Sequence, residues 1–435
     1  MHFCQSVSMN ASSHLHGMKD QNPYYQCRKE DVIMNHKKWL LRFCGLFISI
    51  FFLTVSSLMA AEKPPLKVGI LVSYTGIAPL QAKGVSDGVE LAFDEVGRKA
   101  GGRAIQVFKE DTEFNPTVGL TKVRRLVEEH KVNFVVGPIS SAVALAIYDF
   151  IIKQQVILII PCAFTRELTS PDKANERIFR TVETTDQSNY PMGRWMIKNT
   201  PHRNVVVTGQ DYKAGHDSID AFKAGFEEAG GKIIKEVYPK VGTMDYASFL
   251  TTMDVKGADA VYAWYSGTDA VRFVQQYQEF GLKKRLPLFG GVTIIDDPYL
   301  ASIGDPAIGV IGLTHYPVNL DTRRNLAFID AYKKKYNEHP SRYSEYGYTA
   351  GKMIVAGVDA VKGEIGDISR VAREIKKVSS QVETPSGTLA FDQYNQRIVN
   401  GYVVKAEKKD GKLGNVVIDR IGRVTQEDTW KWWRK

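Results

Sequence analysis

The chain predicts an α/β fold of two open, mostly parallel sheets, each with helices on both faces, and a cleft between them. Three observations carry this. Short apolar runs alternate with amphipathic stretches of helical period, the pattern of a parallel sheet covered on both sides. The alternation runs as far as Arg180-Thr181 and then starts again. About 375 residues follow a leader-like segment, which is too long for one ordinary core and suits two.

The elements follow in order. Lys67–Val72 reads as a buried strand, and Val85, Val89, Ala92, Phe93 and Val96 recur at helical spacing until Gly101-Gly102. Ile105–Glu110 is the next strand, Val118–Glu129 a helix with a basic outer face, and Asn133–Val136 a third strand. Ala142–Lys153 is a helix and Val156–Ile160 a fourth strand ending at Pro161. In the second unit, the strands are Asn204–Val207, Lys232–Val237, Ala260–Trp264 and Leu286–Phe289. The helices between them are Ser218–Ala229, Tyr246–Met253 and Ala270–Phe280. Two long helical patterns follow, Arg324–Tyr336 and Tyr346–Lys362, then strand-like segments Gly387–Phe391 and Val399–Lys405.

Met34–Ala61 reads as a secretory signal. Lys37 and Lys38 precede an apolar run from Trp39 to Met59, and small Ala60 and Ala61 meet the charged Glu62. The alternative is a retained anchor, since the run is long enough to reach across a bilayer. Cleavage near Ala60/Ala61 would place the mature protein outside the cytoplasm, in the periplasm, away from ATP and NAD, and residues 1–33 read as an upstream extension. Cys4, Cys27 and Cys44 precede that point, so Cys162 alone would remain. One cysteine forms no internal disulfide, and no Cys/His cluster has metal-ligand spacing. No cofactor is expected. The formal charge of +9 falls to +6 once residues 1–60, with six Lys/Arg against three Asp/Glu, are set aside. It is spread along the chain with no basic stripe or base-stacking aromatics, which argues against nucleic acid.

In open α/β sheets, ligands sit beyond the carboxyl ends of the strands. That rule selects Tyr74, the run Gly137-Pro-Ile-Ser140-Ser141, and Cys162-Ala163-Phe164 from the first unit. The second unit offers Tyr212, Tyr265-Ser266 and Thr293, and Tyr343 ahead of the last long helix completes the set. Ser140-Ser141 starts a helix, where free N–H groups and hydroxyls hold an anionic oxygen, or where Ser141 simply caps the helix. Tyr74, Phe164, Tyr212 and Tyr265 would make aromatic walls with polar tips. Trp264, beside them, would report binding by its fluorescence.

VGILVSYTG, GPISSAVALAIYDFI, IPCAFTRELTS and FRTVETTD, followed by GQDYKAGHDSIDAFKAGFEEAGGKI and YSGTDAVRFVQQYQEFGL, stand in an order that resembles the periplasmic type I binding proteins of branched-chain amino-acid ABC importers. The similarity covers residues 65–405. It implies two Rossmann-like lobes joined by three crossovers, closing on a small ligand that is released unchanged to a membrane permease–ATPase complex. By that pattern lobe one is 65–183 plus 317–392, and lobe two is 184–316 plus 393–435. The resemblance also implies that Ser141 and the loop Cys162-Ala163-Phe164 hold a ligand carboxylate. Phe164 stands where the family commonly has Thr or Ser. The acidic residue that would hold an α-ammonium is missing from Gly290-Gly-Val-Thr293, although Asp296 and Asp297 lie close by. A buried ammonium without a counter-charge is unfavourable. The expected ligand is therefore an aromatic or apolar acid, with a branched-chain or other hydrophobic amino acid as the alternative, bound by a monomer. A sensor that presents the closed lobes to a signalling partner is the alternative of another class.

Other signals are set aside. Gly84-Val-Ser86-Asp-Gly88 matches a nucleophile elbow, but Ser86 falls inside a helical pattern, not at a strand-to-helix turn. His130, His202, His216, His315 and His339 are expected to be solvated or capping, with His216 within reach of a ligand near Tyr212. Cys162 is expected to be a small buried residue. Arg166 either assists the carboxylate or pairs at the surface with Glu167 or another acid. The indoles of Trp430-Lys-Trp-Trp-Arg-Lys435 are expected to pack on the second lobe. No hydrolytic constellation is present, so an enzyme is not expected.

Overall fold

The computed structural model describes residues 63–409 and 411–430. The signal segment, Cys4, Cys27, Cys44 and the tail 431–435 lie outside the described residues. Among the described residues no helix is long and apolar enough to cross a membrane.

The first sheet opens with β1 (Leu66–Val72), buried along nearly its whole length, as a strand between two helical layers must be. Helix α1 (Pro79–Glu95) starts on a proline, whose missing N–H would be unpaired there anyway. A short hairpin, β2 (Lys99–Ala100) and β3 (Arg103–Asp111), turns at Gly101-Gly102. Helix α2 (Pro116–Arg124) is capped by Asn115, whose side chain accepts from Thr117 and Val118 N–H. Then come β4 (Phe134–Val136), α3 (Ser141–Ile152), β5 (Ile157–Ile160) and β6 (Ile178–Arg180). The spatial order is β2-β3-β1-β4-β5-β6, parallel except for the β2 edge.

The chain then crosses to the second sheet through α4 (Thr185–Asn199), which begins with a reciprocal cap between Thr184 and Gln187. It continues as β7 (Asn204–Gly209), α5 (Lys213–Glu228), β8 (Lys232–Val237), α6 (Ala247–Met253), β9 (Ala260–Trp264), α7 (Gly267–Glu279), β10 (Leu288–Gly291), α8 (Asp297–Ile303) and β11 (Ile311–Thr314). A second crossing returns it to the first sheet as α9 (Arg323–Tyr336), α10 (Arg342–Ala360) and α11 (Ile368–Val378). Ile354, Val358, Val371 and Ile375 share one core with Val68, Ile70 and Phe134. Each such side chain contributes about 1.5–3 kcal/mol by leaving water. After the two-residue strands β12 (Glu383–Thr384) and β13 (Gly387–Thr388), a third crossing adds the hairpin β14 (Val399–Lys409) and β15 (Lys412–Val424) to the second sheet. Its order is β15-β14-β11-β10-β9-β7-β8.

The Gly84…Gly88 pattern has a packing explanation. A Cβ on Gly88 would sit 2.0 Å from the Ser344 carbonyl oxygen, and one on Gly347 would sit 2.0 Å from that of Val85. The glycines let α1 and α10 touch backbone to backbone. Ser86 is buried within α1 and accepts a hydrogen bond from the Tyr74 hydroxyl at 3.0 Å.

The crossings are tied by buried polar groups. The Arg180 guanidinium donates to Gln396 Oε1 at 2.6 Å and to the Ala163 carbonyl at 3.2 Å. Gln396 donates to the Val182 carbonyl at 2.7 Å and to Gln187 Oε1 at 2.9 Å. Arg397 pairs with Glu345 at 3.2 Å. Such groups must be fully paired, because an unmatched buried polar atom is destabilising.

The strand-like reading of Gly387–Phe391 shrinks to Gly387–Thr388. His315, expected to be solvated or capping, is 4 % exposed. It lies just past β11 at the second crossing, where its Nδ1 bonds the Asn400 carbonyl at 3.0 Å and its Nε2 meets Ser188 Oγ at 3.1 Å.

Candidate ligand-binding cleft

The loop between β4 and α3 separates the roles of the two serines. Ser140 is the cap, accepting from Val143 N–H at 3.4 Å, while Ser141 occupies the first helical position. Ser141 Oγ is then free to face the loop after β5, where it accepts from the backbone N–H of Phe164 at 3.2 Å and of Thr165 at 3.1 Å. One hydroxyl and two N–H groups thus converge at one point, beside the first N–H groups of α3. Thr185 N–H fixes the loop from the other lobe by donating to the Phe164 carbonyl at 2.8 Å. Cys162 and Ala163 are buried, and burial pushes the Cys162 thiol far above its ordinary range, so it stays protonated.

The remaining sequence candidates fall into three groups. Phe164 is half-buried and packs on the cores of both lobes, and Trp264 and Thr293 line the same recess. Tyr212 lies with its ring 5.9 Å from that of Trp264 and 6.2 Å from Phe114 of the first lobe, with Ser266 beside its hydroxyl. Tyr74 stays on the first lobe, where its bond to Ser86 holds it and burial pushes its hydroxyl up to about 12. Tyr265 turns the other way. Adjacent residues at a strand end point to opposite faces, so Trp264 lines the recess while Tyr265 enters the lobe-two core. There it stacks on Phe273 at 4.2 Å and bonds Thr208 Oγ1 at 2.6 Å. Tyr343 is buried and donates to Asp296 Oδ2 at 2.6 Å.

Asp296 introduces the residue the sequence reading missed, Arg342. Its Nε donates to Asp296 Oδ1 at 2.9 Å, its Nη2 to the Tyr343 hydroxyl at 2.7 Å, and its Nη1 lies 3.8 Å from Glu183 Oε1. The guanidinium carbon sits 5.9 Å from the centre of the Phe164 ring. Glu183 also accepts from the Tyr346 hydroxyl at 3.0 Å. Burial, reinforced by Asp296, pushes the neighbouring Asp297 up to about 6.

The lobes touch along the cleft. Thr165 Oγ1 donates to Asp217 Oδ2 at 2.5 Å, and Tyr299 donates to Gln81 Oε1 at 2.6 Å. Arg166 pairs across the lobes with two other acids, Asp186 at 3.0 Å and Asp217 at 3.7 Å, and is largely buried there instead of lying at the surface. Glu167 is taken by Lys213 at 2.8 Å. His216 is half-exposed, paired with Asp211 at 2.8 Å and stacked on Tyr238, not in the recess. In this closed form the recess between Phe164, Trp264, Thr293 and Arg342 has about 10 Å³, the space of about one water. A far larger groove of about 1060 Å³ opens between α1 and the β14–β15 hairpin. It is wide, carries Lys83, Glu338 and Lys412, and contains none of the sequence candidates.

Among the described residues no His/Cys/Asp/Glu group is placed to hold a metal. Trp430 lies 5.4 Å from Tyr394, ring to ring.

Comparison with known proteins agrees with this fold. The family model described as periplasmic binding protein matches residues 65–412. A Leu/Ile/Val-binding protein homolog of Brucella melitensis is 24 % identical over 368 residues, covering 83 % of this chain and 92 % of that one. An ABC transporter substrate-binding protein from Sphaerobacter thermophilus is 30 % identical, with a TM-score of 0.77 over 83 % of this chain and 98 % of its own. A solute-binding protein of an ABC transporter from R. palustris, solved with benzoate, is 26 % identical with a TM-score of 0.77, over 83 % and 97 % of the two chains. The chain belongs to the periplasmic binding protein family, as a type I substrate-binding protein of the ABC-transporter kind.

Proposed function

We propose that this protein captures an aromatic or apolar carboxylic acid without an α-ammonium in its interlobe cleft and delivers it unchanged to an inner-membrane permease–ATPase complex. It would act as a monomer in the periplasm after cleavage near Ala60/Ala61. The lobe boundaries would fall at the three crossings, giving 65–183 plus 317–392 and 184–316 plus 393–435. The ligand carboxylate would take the place of Ser141 Oγ between the Phe164 and Thr165 N–H groups, or join it there. Cys162 and Ala163 would shape the floor, and Tyr212 and Ser266 the lobe-two wall.

One observation carries the ligand class. Both oxygens of Asp296, one of the two aspartates near the expected acidic position, are already engaged by Arg342 and Tyr343. Phe164 and Trp264 supply aromatic surface in its place. The benzoate-bound relative supports the same reading. Because the closed recess has room for about one water, entry requires the lobes to part or Phe164 to swing aside.

A second reading keeps a specific support. Glu183 lines the recess and shares the single cation Arg342 with Asp296, so an amino-acid ammonium placed there would balance the charge. The Brucella relative's name agrees with that alternative. A thermal-shift screen of aromatic acids, aliphatic acids and branched-chain amino acids separates the two, since a ligand of the folded state raises the melting temperature. Stabilisation by aromatic acids is expected. Stabilisation only by free amino acids would replace the first reading with the second.

A further inference from the structure

Beside the third crossing, a cavity of about 220 Å³ opens between the loop 174–176, helix α11 and residues 393–395. Ala174, Ala372 and Tyr394 give it apolar surface, and Arg373 and Lys376 border it with their long stems. Asn395, on the same wall, is 4 % exposed, and its Oδ1 has no hydrogen-bond partner. The orientation of that amide is fixed by its neighbours. Its Nδ2 donates to the carbonyls of Asn175 at 3.4 Å and Glu176 at 3.2 Å, so the oxygen is the atom left over.

Native proteins rarely leave a buried acceptor unmatched, and the chain itself supplies a donor nearby. After β15 it leaves the second sheet and runs over this crossing. Gln426 Nε2 donates to the Thr169 carbonyl at 3.1 Å, and Glu427 accepts from Gln393 at 3.2 Å. The ring of Trp430 then lies 5.4 Å from that of Tyr394, which lines the cavity. Lys431-Trp432-Trp433-Arg434-Lys435 follow, outside the described residues. Two extended residues span about 7 Å, so both of these indoles start within reach of the cavity that Tyr394 lines.

The chemistry of the cavity matches an indole. A cavity of about 150 Å³ is enough for a benzene ring, so 220 Å³ has room for the larger one. The indole Nε1–H donates and accepts nothing, the complement of a lone amide oxygen. Arg373 and Lys376 offer cations to the face of a ring. Burial lowers the Lys376 pKa, so its ammonium is partly stripped of water and attracts a ring more strongly. Glu176 and Glu427 stand ready for the three cations of the segment, Lys431, Arg434 and Lys435. A free aromatic solute would have to compete with a ring tethered at an effective concentration of about millimolar.

We propose that the segment 431–435 docks here as an intramolecular strap, with one of its two indoles in the cavity and the indole N–H on Asn395 Oδ1. The strap fastens the end of the second sheet, at β15, to α11, which packs on the first sheet. It lies over the third crossing, so it restrains the joint between the two sheets from outside the interlobe cleft.

The test is limited trypsin digestion of the purified protein, following by mass spectrometry the cuts after Lys431 and Arg434. Ala174→Phe fills the cavity, and Asn395→Gly removes the lone acceptor at a position whose φ of 61° suits glycine. Both variants keep the trypsin sites. Cutting is expected to be about tenfold or more faster in each variant than in wild type, because protection follows the population of the docked form. Ending the chain after Trp430 should lower the wild-type melting temperature by about 1 °C or more and leave that of Ala174→Phe unchanged, since the contact is already gone there. Equal cutting of wild type and both variants would overturn the strap, whether the segment is free or held on another face. Protection that is lost on dilution would also overturn it, by assigning the segment to a second copy of the chain.

Discussion

Arg342 and Asp296 form an ion pair at 2.9 Å in which neither side chain reaches solvent, and it joins a helix of the first lobe to the turn after β10 in the second. Removing one partner of such a pair leaves a buried charge alone, which is destabilising by about 3–5 kcal/mol. Asp296→Ala is therefore expected to lower the unfolding free energy by about that much in denaturant titration. A loss below about 1 kcal/mol would mean that the pair is not buried as described.

The hydrogen bond from Thr165 to Asp217 crosses the cleft, so parting the lobes would break it. A hydrogen bond to a charged group contributes about 1.5–3 kcal/mol, which is tenfold or more in an equilibrium constant. Asp217→Ala should release ligand about tenfold faster in stopped-flow dissociation. An unchanged off-rate would show that this contact does not hold the lobes together around ligand.

His315 gives the crossing region a pH dependence with a definite sign. A carbonyl only accepts, so the bond to Asn400 places the proton on Nδ1 and leaves Nε2 to accept from Ser188, a neutral arrangement. Burial lowers its pKa below the ordinary 6.5, against the opposing pull of Glu183 and with support from Arg397 and Arg342. As pH falls through 6.5 the unfolded chain takes the proton first, so stability present above 6.5 is lost on acidification. Asp186 and Asp297 act oppositely, since burial pushes them up to about 7 and about 6 and their folded forms keep a proton that the unfolded chain gives up. The difference between wild type and His315→Gln isolates the histidine. Wild type should lose more melting temperature between pH 7.5 and 5.5, and equal losses would contradict the assignment.

Trp264 lines the recess and lies close to Tyr212, so its emission should change on ligand binding and the change should vanish in Trp264→Phe. A signal that survives the substitution would point to another tryptophan and to a site away from the recess.

The alternation of apolar strands and helices made the sheets readable from the sequence, because burial on both faces forces continuous apolar runs such as Ile157–Ile160. The reading passed over β2, β6, α4, β11, α8, α11, β12 and β15. Of these, α4 contains Pro191, α8 has only seven residues, and β15 is largely exposed, so those three show no clean period. Helix α11, by contrast, buries Ile368, Val371, Ala372 and Ile375 at helical spacing and was legible. Of the strand-end candidates, Phe164 and Thr293 line the recess and Ser141 faces the Phe164 loop. Tyr265 was drawn in by the same rule, which does not say to which face a strand-end residue turns. Arg342 and Glu183 gave no local signal. Their meaning comes from partners far away in sequence, as with Asp296, 46 residues from Arg342. The one hint was a pair of aspartates ending the apolar run Gly290–Ile295.

The most direct test of the account is a crystal structure grown with 4-hydroxybenzoate. The account predicts ligand density between the lobes, with the carboxylate within hydrogen-bond distance of Ser141 Oγ and the Phe164 and Thr165 nitrogens, and the ring against Phe164 and Trp264. Ligand density in the outer groove beside Lys83 and Lys412, with the cleft closed and unchanged, would contradict it.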